Sequence, residues 1–513
     1  MVTPSGQAGH RTRPDPAATG SVPCVEREPT PVSGSEGHVA GVPADASSDV
    51  APAIPASAGE VRHRARIDPM ALGRFRRWML LPIGVASLVQ ALYLWNIHRW
   101  TFHNGDATYY FNQAKFITQG HWFINPYLAG EKFIVAPSAS HPPVTTMALV
   151  LSDLLGAQSW LSHQVVMAAI FVVTVGICGV VGRRLAGGRA GVVVALAVGI
   201  YPYLWVNPAA VLSETLVLLI TALLLWAALR FWERPRLRTA GEIGVYLALA
   251  ALTRSEMIIL TALIGLPLVL LVRGLSRQGR LKNAAVMAGL CVVVLAPWVG
   301  RNMTTFHSPE YLSTQGGITL ETANCDQTYY GGAEGWWWYP CGASVKIPAH
   351  ADESDIDRAM RKAAKRYITH HESRIPAVVT VRVLRTWNLF RPDQQAHFDR
   401  LDARPVWVSK LGMYSFYVLA PFAIAGAVIL RRRRVLVFPL LALVVTVTFA
   451  AATIYANGRY RSEGDLAVAI LAGVGFEALL GVTWDRWRHR AVAEGPDDSP
   501  LGTEERAPLP MPS

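Results

Sequence analysis

Five short stretches of this 513-residue sequence set ionisable side chains at the ends of apolar runs. Asp106 lies in HNGDATYYF, residues 103–111, just past the first run. Glu214 lies in VLSETLVLL, and Arg254 with Glu256 in ALTRSEMII. Arg301 and Asn302 are in APWVGRNMTTF, and Arg459, Tyr460, Arg461 and Glu463 in YANGRYRSEGD. A carboxylate in such a place can take a proton from a hydroxyl nucleophile. Arginines can hold a phosphate through charge-assisted, often bidentate bonds. Tyr109, Tyr110, Tyr329, Tyr330, Trp336, Trp337 and Trp338 offer flat faces for sugar rings, although tryptophan equally suits a membrane interface. The combination suits an anionic lipid head group together with a polyol. Any one of these residues alone reads as an interfacial cap or a structural ion pair. The set together points to a polar site at one membrane face.

The elements that must position them are membrane helices. The chain is 51% hydrophobic and 16% charged, against about 25% charged in soluble proteins. The charge deficit falls in apolar runs of about bilayer length, roughly 20 residues. Ten spans are expected, near 78–98, 162–182, 190–206, 210–230, 240–253, 256–273, 283–300, 410–430, 435–455 and 465–483. A charge inside the bilayer costs at least about 2.5–3.5 kcal/mol. Glu214 is therefore expected to face the bundle interior, with Arg254 or Arg301 as its partner.

Basic residues set the orientation. Six lie in 62–77, three in 183–189, four each in 230–238, 273–282 and 431–434, and three in 486–490, half of the chain's 48. The short turns on the opposite side hold only Arg254, Arg459 and Arg461. Both termini are thus expected to be cytoplasmic. The net charge of +12 reflects this topology signal and does not indicate nucleic acid. Residues 1–70 and 491–513 read as disordered cytoplasmic tails, because they are poor in large apolar residues. Residues 1–60 lack the apolar core of a signal peptide.

Two long segments, about 100–161 and 301–409, are expected as loops outside the membrane on the far face, the first carrying Asp106. The second holds Cys325 and Cys341, and an oxidising exterior permits a disulfide between them. The alternative is two unpaired thiols. Ser354 and Asp357 read as a capping box opening an amphipathic helix through Ile356, Met360, Ala364, Tyr367 and Ile368. Asp355-Ile356-Asp357 matches a metal-binding D-x-D formally, but reads better as a solvated first helical turn. No P-loop or glycine-rich nucleotide fingerprint can be placed between a strand and a helix. An outward-facing enzyme of this kind needs an activated donor already in the membrane.

Over residues 78–483 the sequence resembles the GT-C membrane glycosyltransferases, in the group of protein O-mannosyltransferases and lipid A aminoarabinose transferases. The markers are Gly105-Asp106 with Tyr109-Tyr110, His141-Pro142-Pro143, Ser213-Glu214, Thr253-Arg254-Ser255-Glu256, Pro297-Trp298 with Arg301-Asn302, and Arg459-Tyr460-Arg461. The resemblance implies an all-α polytopic fold in the plasma membrane. It implies transfer of a sugar from a polyprenyl-phosphate donor to a cell-envelope acceptor at the outer face, by an inverting displacement. Asp106 would be the general base. Arg254, Arg301, Arg459 and Arg461 would stabilise the donor phosphate. His141 stands where the group carries a lysine near that phosphate. Glu214 and Glu256, with Tyr109, Tyr110 and Tyr460, would orient the acceptor or hold the arginines. No cofactor is assigned; a divalent metal at His103, His121 and Asp106 competes with the plainer reading of these histidines as hydrogen-bonded surface groups.

Two rival classes remain. A transporter or lipid flippase would carry its site near the midplane, often within internal repeats; no repeat is evident, and the ionisable residues crowd one face. A scaffold without activity would tolerate replacement of Asp106.

Overall fold

A computed structural model describes residues 70–97, 105–132 and 134–493. Among the described residues each expected span from 78 to 483 coincides in large part with helix. Six helices are long and apolar enough to cross a bilayer: Leu72–Ile97, Trp160–Ala186, Glu214–Glu233, Arg277–Thr305, Val406–Arg432 and Gly458–Gly481. A seventh is counted if Gly188–Ile200 and Pro202–Ala210, bent by 61°, form one broken span. The break has a local cause. Pro202 forces the residue before it out of the helical region, and Tyr201 accordingly takes φ −73°, ψ 116°.

The expected count of ten is therefore not reached by length. Leu237–Ala251 has 15 residues and Phe438–Thr453 has 16, so each rises only about 22–24 Å, short of a hydrocarbon core of about 30 Å. Ser255–Leu271 is irregular, passing from a 3-10 turn through a π turn at Thr261–Gly265 before ending in α-helix. The chain is an all-α polytopic membrane protein, and the only strand-like feature among the described residues is a single bridge between Ile124 and Pro137.

The spans share one apolar core that includes Phe171, Val194, Leu218, Leu247, Leu443 and Leu471. Small residues bring its helices together. Gly426 lies against the Leu471 carbonyl and Gly475 against the Phe422 carbonyl, with no room for a Cβ at either. That backbone contact couples Val406–Arg432 to the helix that follows Arg461.

The segments outside the spans are folded. The stretch read as a loop around Asp106 is instead a helix, Gly105–Thr118, with Asp106 in its first turn. An acid there is favoured by the unpaired N–H groups of the helix start. Cys325 and Cys341 form a disulfide, which removes the reading of two free thiols.

The later amphipathic helix starts two residues earlier than expected. It spans Glu353–His370, and Asp352 is its N-cap, accepting from the Asp355 N–H at 3.0 Å. Asp357 is not a solvated residue of the first turn. It is buried and accepts from the Gly317 N–H and the Arg361 guanidinium. Glu353, at the start of that helix, fastens the two segments. It accepts from Asn125 Nδ2 at 3.0 Å, the Ala139 N–H at 2.9 Å, Ser140 Oγ at 3.2 Å and Thr314 Oγ1 at 2.7 Å.

Candidate active site

Asp106, fixed at the start of Gly105–Thr118, pairs with the Arg459 guanidinium through one oxygen. His141 Nε2 lies 3.5 Å from the other. Burial works against ionisation of Asp106, but Arg459 and His141 outweigh it and hold the carboxyl well below its ordinary range. Arg459 sits in the turn Gly458–Arg461. Asn457 sets that turn: its side-chain oxygen accepts from the Arg459 N–H at 2.9 Å, and its amide donates to Asp402 at 2.8 Å.

Arg459 also lies 3.3 Å from Glu214 and 3.4 Å from Asp402. Arg254 reaches Glu214 at 2.5 Å and Glu256 at 2.6 Å, and stands 3.7 Å from Glu463. The Tyr460 ring packs against both guanidiniums, 4.5 Å from Arg254 and 5.0 Å from Arg459. Two arginines thus bind together five carboxylates drawn from sequence positions 106 to 463. Asp106, His141, Arg254, Glu256, Arg459 and Tyr460 line a cavity of about 810 Å³. Glu214 does not reach the lining; it is fully buried and pairs with both arginines.

Several expected site residues stand elsewhere. Arg461 is fully buried, 2.7 Å from Asp465, and donates to the Thr386 carbonyl at 3.0 Å. Its guanidinium lies 4.3 Å from the Phe416 ring, so it is a core ion pair and does not line the cavity. Arg301 donates to the carbonyls of Ser138 at 3.0 Å and Phe123 at 3.1 Å, which occupies the donors that a phosphate would use. Tyr109 is buried, with its hydroxyl 2.7 Å from Ser138 Oγ and 2.7 Å from Gln113 Nε2. It builds the wall and offers no open ring. Tyr110 does line the cavity, its ring 4.9 Å from that of His141. Of the tryptophan run, Trp336 is stacked on Phe398 at 4.1 Å, whereas Trp337 lines the cavity.

The possible metal group of His103, His121 and Asp106 is only partly described. His103 lies outside the described residues, and His121 is exposed and absent from the cavity lining. The group with metal-ligand spacing is a different one, His307, Asp352 and Asp355. Its carboxylates already accept from the His307 and Asp355 N–H groups and the His307 ring.

Sequence reasoning missed Asp402, Asn457 and Glu353. The neighbours of Asp402 in FDRLDARP show no apolar periodicity that would aim it. Asn457 in YANGRYR had a readable signal, since an asparagine side chain commonly bonds the backbone two residues on and so opens a turn.

Residues 140–300 match the model of the dolichyl-phosphate-mannose-protein mannosyltransferase family. This stretch holds His141, Glu214, Arg254 and Glu256, and it agrees with the resemblance to GT-C glycosyltransferases read from the motifs. No curated protein matches the chain. Among solved structures, the oligosaccharyltransferase AglB of Archaeoglobus fulgidus, in complex with an inhibitory peptide and a dolichol-phosphate, aligns at 15% identity and a TM-score of 0.47. The alignment covers 83% of this chain and 53% of that one. The chain thus spans about half the length of that enzyme. ArnT from Cupriavidus metallidurans, bound to undecaprenyl phosphate, aligns at 15% identity and a TM-score of 0.37, covering 84% of this chain and 83% of that one.

Proposed function

We propose that this chain is a membrane glycosyltransferase that moves a sugar from a polyprenyl-phosphate donor to a hydroxyl of a cell-envelope acceptor. The observation that carries this reading is the pairing of Asp106 with Arg459 at the wall of a cavity that Arg254 also lines. A carboxylate held far below neutral by an arginine is a weak base. It becomes a useful one when that arginine is drawn to another anion. The donor phosphate is such an anion. As Arg459 and Arg254 turn to it, Asp106 is released to accept the acceptor's proton.

The acceptor oxygen then bonds to the anomeric carbon, and the bond from that carbon to the phosphate oxygen breaks. The electron pair leaves with polyprenyl phosphate. Charge grows on that leaving group, where the two guanidiniums stabilise it. The displacement is inverting. The cavity lies on the side whose short turns hold few basic residues, which supports a site opening away from the cytoplasm of the plasma membrane, with both termini cytoplasmic.

The test is transfer from labelled polyprenyl-phosphate sugars into membrane acceptors, with wild type and Asp106→Asn at equal protein levels. Transfer is expected with wild type and a fall of about 10²–10⁴-fold with the variant. Full complementation of a deletion strain by Asp106→Asn, with no transfer from any donor, would sink the reading and favour lipid transport.

A further inference from the structure

A second part of the cavity lining comes from residues between Glu310 and Thr322, Glu321 not among them, and from Trp337, Tyr339 and Arg361, and its chemistry differs from that around Asp106. Tyr311 and Tyr339 both line the cavity, with 64% and 66% of their surfaces exposed. Their open ring faces are apolar surface that a ligand can cover while the hydroxyls stay hydrated, and Trp337 adds a third ring to the same lining. Gln315 and Thr319 add neutral polar groups, and the Gln315 side-chain amide has no partner among the described residues.

Only two side chains in this set carry charge, and neither attracts an anion. Arg361 is held by the Asp357 carboxylate, through Nε at 3.2 Å and through Nη2. Glu310 is nearly buried and would repel an anion. A phosphorylated or carboxylated ligand would find no free cation here. Strand addition, one way an extended peptide binds, finds no strand among the described residues, and a peptide that docked on the rings alone is the comparator below. A sugar chain fits what is present. Its rings have apolar C–H faces for the aromatics and hydroxyls at the rim for the amide and hydroxyl groups.

We infer that this wall is a subsite for an uncharged glycan chain, seated on Tyr311, Trp337 and Tyr339, with Gln315 and Thr319 bonding its hydroxyls. The inference rests on the transferase reading, in which this glycan is the acceptor.

The experiment is a binding measurement, so that its failure differs from a failure of transfer. The full-length protein in nanodiscs is titrated with neutral pentasaccharides of mannose, glucose and arabinose. Saturation-transfer NMR and tryptophan fluorescence report binding. A pentamer of galacturonic acid and a serine- and threonine-rich peptide are the comparators. At least one neutral chain is expected to bind at least about tenfold tighter than both comparators. Tyr339→Ala and Tyr311→Ala are each expected to weaken it about tenfold, or about 1.4 kcal/mol, and Tyr311→Phe to retain it. Tighter binding of the peptide or the uronic acid chain would overturn the inference. So would no binding of any neutral chain, or unchanged binding by both alanine variants. Neutral-chain binding without transfer from any donor would count against the transferase reading alone.

Discussion

The two walls of the cavity are built on opposite principles. Around Asp106, two buried guanidiniums hold carboxylates from five parts of the chain, and each ion depends on the others for its solvation. Around Tyr311 and Tyr339, open rings and neutral polar groups ask little of their neighbours. Under the proposed function, the difference separates reactivity from recognition. Charge can change partners during a reaction only where it is already desolvated and positioned. Grip on a neutral ligand needs only shape and ring faces. The first wall should be fragile to mutation, and the second tolerant in folding and selective in binding.

The sharpest way to break this contrast is Arg254→Ala. It strands Glu463 and Glu256 and leaves Glu214 to Arg459 alone. Removing one partner of a buried ion pair costs about 3–5 kcal/mol. The expected outcome is loss of the monodisperse peak in size exclusion, or a large fall in thermal midpoint, partly relieved by adding Glu463→Gln. An unchanged midpoint would mean that the network does not hold the fold, and the contrast would collapse.

Arg459→Lys sharpens the same comparison with less damage. The charge remains, but one ammonium cannot reach Asp106, Glu214 and Asp402 as the guanidinium does. The protein should fold, and transfer should drop by about 10²–10³-fold. Transfer at the wild-type rate would show that a point charge suffices and that fork geometry plays no part.

The sequence made the reactive wall partly legible and the neutral wall hardly at all. Asp106, Arg254, Glu256 and Arg459 could be found because charge beside an apolar run needs a reason. The same reasoning chose Arg461, which the structure places in the core and not on the cavity. Its neighbour Asp465 lies one helical turn on and satisfies it within the core, a pairing that i,i+4 spacing could have suggested. Arg301 misled for a similar reason, since its partners are backbone carbonyls, which no sequence pattern marks. The spans were legible as helix but not in number, because Leu237–Ala251 and Phe438–Thr453 are apolar and yet too short. Residues 310–339 carry no long apolar period, so the placing of Tyr311, Trp337 and Tyr339 on one lining depends on tertiary folding around the Cys325–Cys341 disulfide.

The smallest expected effect tests the neutral wall through its one acid. Glu310 is pushed up to about 7, chiefly by burial, with Asp357 adding to the rise and Arg361 opposing it. Its folded pKa lies above its ordinary value of 4.5, so between these two values the folded state binds more protons than the unfolded state. Stability must therefore fall as pH rises through that window and level off above it. Glu310→Gln removes this contribution. Its thermal midpoint should match wild type near pH 4.5 and exceed it by about 1–2 °C at pH 8. Neutral-glycan binding by wild type should change little over the same range, because the rings and the Gln315 amide do not titrate. If Glu310→Gln instead lowers the midpoint most at pH 8, the Glu310 carboxylate is stabilised by a counter-charge at that pH. The second wall would then be a charged wall as well.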